Sequence, residues 1–401
     1  MQLPLEDIKV LDLTHALAGP FCSTMLADFG AQVIKLEPPG VGDIARAWGV
    51  PTHGGESSYF VTLHRNKRGI VIDLKTAQGK ELFFRLVEKC DVVLENYRIG
   101  ALKRLGLGYD EAKKRNPGII YCSISGFGQD GPYRDRAALD LIVQSESGMV
   151  SVTGDEGSSG TRAGVSIADM TAGMYSAYGV MLALRMKEKT GEGQEIDVSM
   201  LEGQLSLLST MIGTYCTDGK IPRPTGNTYA ALVPYQTFHT KTRDLAIAIA
   251  GDKLWKKLCP AIGCPELTDD VRFSRALERN KNRTVLLPML QKVFLTRPYE
   301  EWEPLLIAND IPVGAINDLS QVLEHPQVKA RNAIQEVDHP RAGKVRAIGS
   351  PVRLSKAPFA VRAPAPMLGQ HTHEVLREVL GLSAGEIAAL EAAGVLGAKP
   401  L

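Results

Sequence analysis

Five short apolar runs, at residues 8–13, 32–36, 70–74, 91–94 and 119–124, constrain the fold more than any other feature. Each has the length of a strand, and helix-like segments separate them. A helix is predicted from Gly19-Pro20 to about Phe29, with Pro20 suited to a first helical turn. Residues 77–89 form an amphipathic helix with Leu82, Phe83, Leu86 and Val87 on one face. Short helices are expected near Leu102 and Tyr109, before the fifth run. Such alternation predicts an α/β chain with a largely parallel, doubly wound sheet. Ligands of such sheets sit beyond the carboxyl ends of the strands. Asn96-Tyr97-Arg98, which follows the fourth run, is therefore a candidate ligand loop by position.

A chain of 401 residues suggests two domains. Residues 217–228 turn to Gly, Pro and polar side chains and read as a linker. Beyond them come an expected strand at 244–250 and helices at 253–258 and 283–294. The tail from Arg331 returns to turns and closes with helices at 372–380 and 384–393. Basic and acidic residues balance at 46 and 45, which gives no electrostatic case for nucleic acid or a membrane surface. The six cysteines are scattered without a C-x-x-C, so buried free thiols are expected rather than disulfides or zinc. The first residues lack a signal-peptide pattern, and the apolar run at 170–184 is too short to span a bilayer. Together these features predict a cytoplasmic protein.

That apolar run opens at Gly164-Val-Ser-Ile-Ala-Asp-Met-Thr-Ala-Gly173, where Asp169 is the one charge among small residues. Two readings fit. Ser166-x-x-Asp169 has the spacing of a capping box. Asp169 also suits a nucleophilic carboxylate, held by a helix N-terminus while apolar neighbours strip its water. No G-x-S-x-G elbow and no Walker A sequence occur. One G-x-G-x-x-G, Gly126 to Gly131, is followed by the turn-like Pro132-Tyr-Arg-Asp-Arg136 instead of a helix, which argues against a dinucleotide fingerprint. His371-Thr-His373 lacks a third ligand at metal-site spacing, so no metal is expected. Lys67, Arg68, Lys75, Arg98, Lys103 and Arg104 form a basic cluster that reads either as solvated surface or as phosphate ligands.

Several ordered segments carry a resemblance to family III coenzyme A transferases, the group that also contains α-methylacyl-CoA racemase. They are Leu11-Asp-Leu-Thr, Ala18-Gly-Pro, the stretch 26–37, Asn66-Lys-Arg, Asp73-Leu-Lys, Glu95-Asn-Tyr-Arg-Ile-Gly, Ser125-Gly-Phe-Gly, Ala168-Asp-Met-Thr-Ala-Gly, Gly191-Glu-Gly-Gln and Leu368-Gly-Gln-His-Thr. The resemblance implies an interlocked homodimer. Each chain would form a Rossmann-like large domain from both ends, residues 1–224 and 331–401, and a smaller domain from 225–330. It implies that the Asp169 carboxylate attacks the thioester of a donor acyl-CoA and passes CoA to an acceptor carboxylic acid through covalent aspartyl intermediates. By the same resemblance Ala16, Leu17 and Ala18 line the thioester end, and Asp73, Leu74 and Lys75 flank the adenine. Asn96, Tyr97 and Arg98 hold the CoA chain, Arg104 meets a phosphate, and Arg136 lies where a basic residue often meets CoA. No permanently bound cofactor is implied; the CoA thioester is substrate.

Three departures from formyl-CoA transferase point to a larger acyl group, with succinyl-CoA or another dicarboxylyl-CoA as donor. Leu17 replaces a glutamine, Pro38 replaces an arginine, and the stretch 226–236 holds one glycine where that enzyme has a glycine-rich loop. An α-methylacyl-CoA racemase is the alternative, but it needs a second proton carrier where this chain has Leu139. A non-catalytic acyl-CoA binding protein is a further alternative, set against the retained Asp169.

Overall fold

Six parallel strands, β1 (Lys9–Asp12), β2 (Gln32–Glu37), β3 (Lys67–Val71), β4 (Val92–Glu95), β5 (Ile120–Ser125) and β6 (Glu195–Ser199), pair in the order 3-2-1-4-5-6. The computed structural model describes residues 3–52, 54–357 and 359–397. The strand order is that of the Rossmann fold, and it reverses between β1 and β4. Val10 sits at the centre, paired with Val33 on one side and Val92 on the other. β1, β4 and β5 are covered on both faces, which is why they read as continuous apolar runs.

The third strand starts three residues earlier than the run at 70–74 suggests, at Lys67. The reason is a buried charge. Lys67 is 2% exposed and its Nζ donates to Ser23 Oγ at 2.8 Å and faces Asp12 Oδ2 at 3.4 Å. A lysine that looks like surface is thus part of the sheet interior, so it is neither of the two things the basic cluster suggested.

The chain divides into two compact units: Met1–Met149, Ala163–Lys220 and Pro326–Leu401 form one, Val150–Arg162 and Ile221–His325 the other. In the first unit, helix Ala77–Val87 and the C-terminal helices Thr372–Leu380 and Ala384–Ala392 cover one face of the sheet through Leu82, Phe83, Leu86, Val375, Leu376 and Ile387. Helices Ala18–Asp28 and Ile167–Thr190 cover the other through Cys22, Leu26, Ala168, Ala172 and Val180. Residues 200–218 form two helices, Met200–Leu207 and Ser209–Asp218, because Leu208 leaves helical geometry at ψ 2°. A hairpin, β10 (Ile334–His339) with β11 (Gly343–Ile348), also belongs to this unit.

The second unit holds an antiparallel sheet of β7 (Tyr235–Phe238), β8 (Leu245–Ala248) and β9 (Val313–Ala315) packed by helices. Trp255, Phe273, Phe294 and Trp302 fill its core. Arg279 is fully buried there, donating to the carbonyls of Val233 and Phe273 and to Asp252 Oδ1 at 2.8, 2.9 and 3.0 Å.

Candidate active site

The reversal of strand order places a cavity of about 280 Å³ beyond the carboxyl ends of β1, β4 and β5. His15, Ala16 and Ala18 enter it from the β1 side, Asn96, Tyr97 and Arg98 from the loop after β4, and Ser125 and Gly126 from β5. Arg134, Arg136 and Leu139 close one wall, and Asp169 projects in from the first turn of helix Ile167–Thr190. Of the residues singled out from sequence, Ala16, Ala18, Asn96, Tyr97, Arg98, Arg136 and Asp169 line this cavity. Leu17, Asp73, Leu74, Lys75 and Arg104 do not. Leu17 is instead the residue ahead of helix Ala18–Asp28, while Asp73 to Lys75 follow β3, two strands away from β1.

The capping-box reading of Ser166 and Asp169 is corrected by the geometry. Ser166 makes no side-chain cap, and the Asp169 side chain accepts no hydrogen bond among the described residues. The cap comes from elsewhere: Asp140 Oδ1 accepts from the Ala168 amide at 2.9 Å. Gln144 steadies Asp140 by donating to its Oδ2 at 2.6 Å, and its own Oε1 accepts from the Ala163 amide at 2.9 Å. Twenty-eight residues separate Asp140 from Ala168, so no local pattern announces this cap. It leaves Asp169 free for chemistry at a helix N-terminus.

Burial pushes the Asp169 carboxyl up to about 7, and the neighbouring Asp140 carboxylate pushes the same way. Half of it is therefore ionised near neutral pH, a state in which a carboxylate can both attack a carbonyl and depart again as a carboxylate leaving group. Tyr59, which sequence reasoning missed, is raised to about 12 by burial and by the carboxylates of Asp169, Asp140 and Asp43, so it stays a neutral phenol near Asp169. His15 is pulled down by burial, with Asp43 opposing, and its ring meets that of Tyr97 edge-on at 5.1 Å.

The β1 and β4 loops are latched together. The Asn96 side chain accepts from the His15 amide and donates to the His15 carbonyl, both at 2.8 Å. Arg136 lies over the Tyr133 ring at 4.3 Å and donates to Glu146 at 2.8 Å, which orients its guanidinium at the cavity wall. Two helices also approach closely here. A Cβ on Gly173 would stand 2.6 Å from the Ala18 carbonyl oxygen, so only glycine lets helix Ile167–Thr190 come this near to the Ala18 helix.

His371 and His373 are both occupied elsewhere: His371 Nδ1 accepts from the Gly69 amide, and His373 Nε2 bonds Glu391 at 2.7 Å. The glycines of 126–131 form turns, with no helix opening at them. Among the described residues no helix is long and apolar enough to cross a membrane.

A Rossmann-order sheet with a half-buried carboxylate at its switch point defines an α/β protein with a candidate catalytic site where such folds bind their ligands. The chain belongs to CoA-transferase family III, whose profile matches residues 5–372. It is 38% identical over 393 residues to succinyl-CoA:glutarate CoA-transferase of Homo sapiens, covering 98% of this chain and 90% of that protein. It is likewise 38% identical over 394 residues to succinyl-CoA–D-citramalate CoA-transferase of Chloroflexus aurantiacus, with 98% of each covered. Its fold matches the crystal structure of a CAIB/BAIF family protein from Brucella suis with a TM-score of 0.85 and 34% identity, over 94% of this chain and 100% of that one.

Proposed function

We propose that this protein moves coenzyme A from succinyl-CoA, or another dicarboxylyl-CoA, to a second dicarboxylic acid through covalent intermediates on Asp169. The observation that carries the reading is the Asp169 carboxylate itself: desolvated, without a hydrogen-bond partner among the described residues, and aimed into a cavity walled by Arg98, Arg134 and Arg136. Guanidinium groups are the natural partners of carboxylates and phosphates. The relatives that use succinyl-CoA support the donor.

Chemically, Asp169 attacks the donor thioester carbonyl and expels CoA thiolate, leaving a mixed anhydride. The thiolate attacks the aspartyl carbonyl of that anhydride and releases the donor acid, which forms an aspartyl-CoA thioester. The acceptor carboxylate displaces CoA again, and the thiolate then takes the acceptor acyl group and frees Asp169. Each step splits one hard exchange into easier ones and leaves no net proton to place. Asp73, Leu74, Lys75 and Arg104, which lie away from the cavity, serve the distant adenine and phosphate end of CoA. Leu139 lines the cavity and cannot carry a proton, which disfavours the racemase alternative. A screen of carboxylic acids against succinyl-CoA and acetyl-CoA, read by mass, tests the reading. Transfer from succinyl-CoA to five- or six-carbon dicarboxylates supports it. Exchange confined to acetyl-CoA and monocarboxylates overturns the substrate class.

A pH profile follows from the raised carboxyl. The carboxylate is the reactive form, so kcat/KM should be flat above about pH 7 and fall about tenfold per pH unit below it. Asp140→Asn, which removes the like charge, should move the inflection to lower pH. A profile flat down to pH 5 would show an ordinary carboxyl.

The protein works as a homodimer of interlocked chains in this reading, with the large domain taken from both chain ends and the small domain taken as residues 150–162 and 221–325 rather than 225–330. Helix Ile167–Thr190 supports it: Met174, Tyr178, Leu182 and Met186 are 46, 61, 50 and 50% exposed in the single chain, and Met211, Ile212 and Tyr215 extend the apolar surface. Large apolar patches of this kind mark protein interfaces. Light scattering at micromolar concentration should give twice the 43.4 kDa chain mass. A fully active monomer would sink the dimer. The unpaired state of all six cysteines supports a reducing, cytoplasmic setting.

A further inference from the structure

Beneath the cavity lies a chain of buried charge that the transfer chemistry does not use. Asp12, Lys35, Asp43, His64 and Lys67 are each 3% exposed or less. Lys67 Nζ lies 3.3 Å from His64 Nδ1, and an ammonium can only donate, so the His64 proton sits on Nε2. That nitrogen faces Asp43 Oδ2 at 3.9 Å, and Lys35 Nζ meets the same oxygen at 3.0 Å. The other oxygen of Asp43 accepts from the amides of Ala45 at 2.9 Å and Ala16 at 3.0 Å.

Ala16 is the end point of this chain and it is strained. Its φ is 65°, the left-handed region that a residue with a Cβ avoids. The neighbours on its N-terminal side are tied as well. Asp12 Oδ1 accepts from the Thr14 amide, the Thr14 carbonyl accepts from Lys35, and Asn96 holds both backbone groups of His15. Three consecutive residues at the cavity mouth are thus held by side chains from four other places in the sequence. Because the Ala16 amide is taken by Asp43, it is not available to an oxyanion. The next two amides, of Leu17 and Ala18, have no acceptor among the described residues.

We propose that Asp43 is a positioning residue for acyl transfer: backed by Lys35 and His64, it pins the left-handed turn at Ala16 and so sets the Ala18 amide in the cavity that Asp169 enters. The inference rests on the covalent role of Asp169 proposed above. Asp43 touches no reacting atom; it acts through the backbone of Ala16.

Asp43→Asn keeps an oxygen for the Ala16 and Ala45 amides but sets an NH₂ against Lys35 and His64, two donors, so the tether loosens. Steady-state exchange with succinyl-CoA as donor should show kcat down about a hundredfold with donor KM within about threefold, the mark of lost geometry rather than lost binding. Adding Ala16→Gly should recover about tenfold, because glycine adopts a positive φ without a tether. A purely structural role for Asp43 would show no such rescue. Ala16→Val leaves the buried charges intact and is the second arm if Asp43→Asn does not fold; it should lower kcat about as far, with KM held. A kcat within about threefold of wild type in Asp43→Asn, a double variant no better than the single one, or an Ala16→Val at wild-type rate would overturn the proposal. Asp169→Asn runs alongside. If it keeps its activity, the covalent reading fails; if it is dead while Asp43 and Ala16 variants are normal, only the positioning role fails.

Discussion

Asp169→Asn should fold, bind CoA thioesters and lose at least about a thousandfold in exchange rate, since a residual rate above a tenth would mean only about 1.4 kcal/mol of barrier. The geometry makes the substitution unusually clean. Asp140, not Asp169, caps the helix, so the change leaves the Ala168 amide satisfied. Stability should even rise at alkaline pH. The Asp169 carboxyl is raised from the ordinary value of 3.8 to about 7, so burial penalises its charged form. Below about pH 4 the group is neutral in folded and unfolded chains alike and costs nothing. As pH rises from about 4 to 7 the unfolded chain is already ionised while the folded carboxyl still holds its proton, so wild type loses stability across that window, and above 7 the loss is complete. Asparagine has no charge to bury. The variant should therefore melt at or above wild type at pH 8 and close to it at pH 4, the usual relation between a strained active site and its disarmed form. A variant that melts well below wild type at pH 8 would contradict the assignment of the cap to Asp140.

Gly173→Ala should be destabilising and nearly inactive, and the sign of the stability change is the informative part. In an exposed helix interior, alanine in place of glycine gains about 1 kcal/mol. Here the new Cβ would stand 2.6 Å from the Ala18 carbonyl oxygen and 3.1 Å from Phe21 Cδ1. The first neighbour is backbone and cannot rotate away. Overpacking of this kind costs about 1–3 kcal/mol, which outweighs the propensity gain. The helices must part, and the helix that moves carries Asp169 one turn earlier. The helix it leaves carries Ala18 at the cavity wall. Misplacement by about 1 Å costs on the order of a hundredfold in rate. Melting temperature and kcat should therefore fall together. A more stable Gly173→Ala with unchanged kcat would show that the close approach does not set the site.

Much of this architecture is legible in the chain because buried parallel strands leave continuous apolar runs. The runs at 8–13, 32–36, 91–94 and 119–124 all overlap observed strands, and the loop after the fourth does line the cavity. Helices at 283–294 and 372–380 fall where their apolar spacing puts them. What stays hidden is whatever depends on partners distant in sequence. Lys67 begins a strand because Asp12 and Ser23 wait for its ammonium, and nothing near Lys67 says so. Ser166 and Asp169 have the spacing of a capping box, yet Asp140 arrives from another helix to do the capping. Asp43 and Tyr59 carry no motif, and their relation to the site exists only once β1 and β2 lie side by side. Asp169 was legible through its family setting; its raised carboxyl was not, because the charge that helps to raise it stands twenty-nine residues upstream.

The central claim is that Asp169 becomes acylated during turnover. Wild-type protein incubated with succinyl-CoA and then hydroxylamine, digested and read by mass spectrometry, tests it most directly. Hydroxylamine cleaves the aspartyl thioester to a hydroxamate, so the peptide bearing Asp169 should gain about 15 Da, only when succinyl-CoA is present, with activity lost in proportion. An unmodified Asp169 peptide from protein that is exchanging CoA under the same conditions would contradict the covalent mechanism.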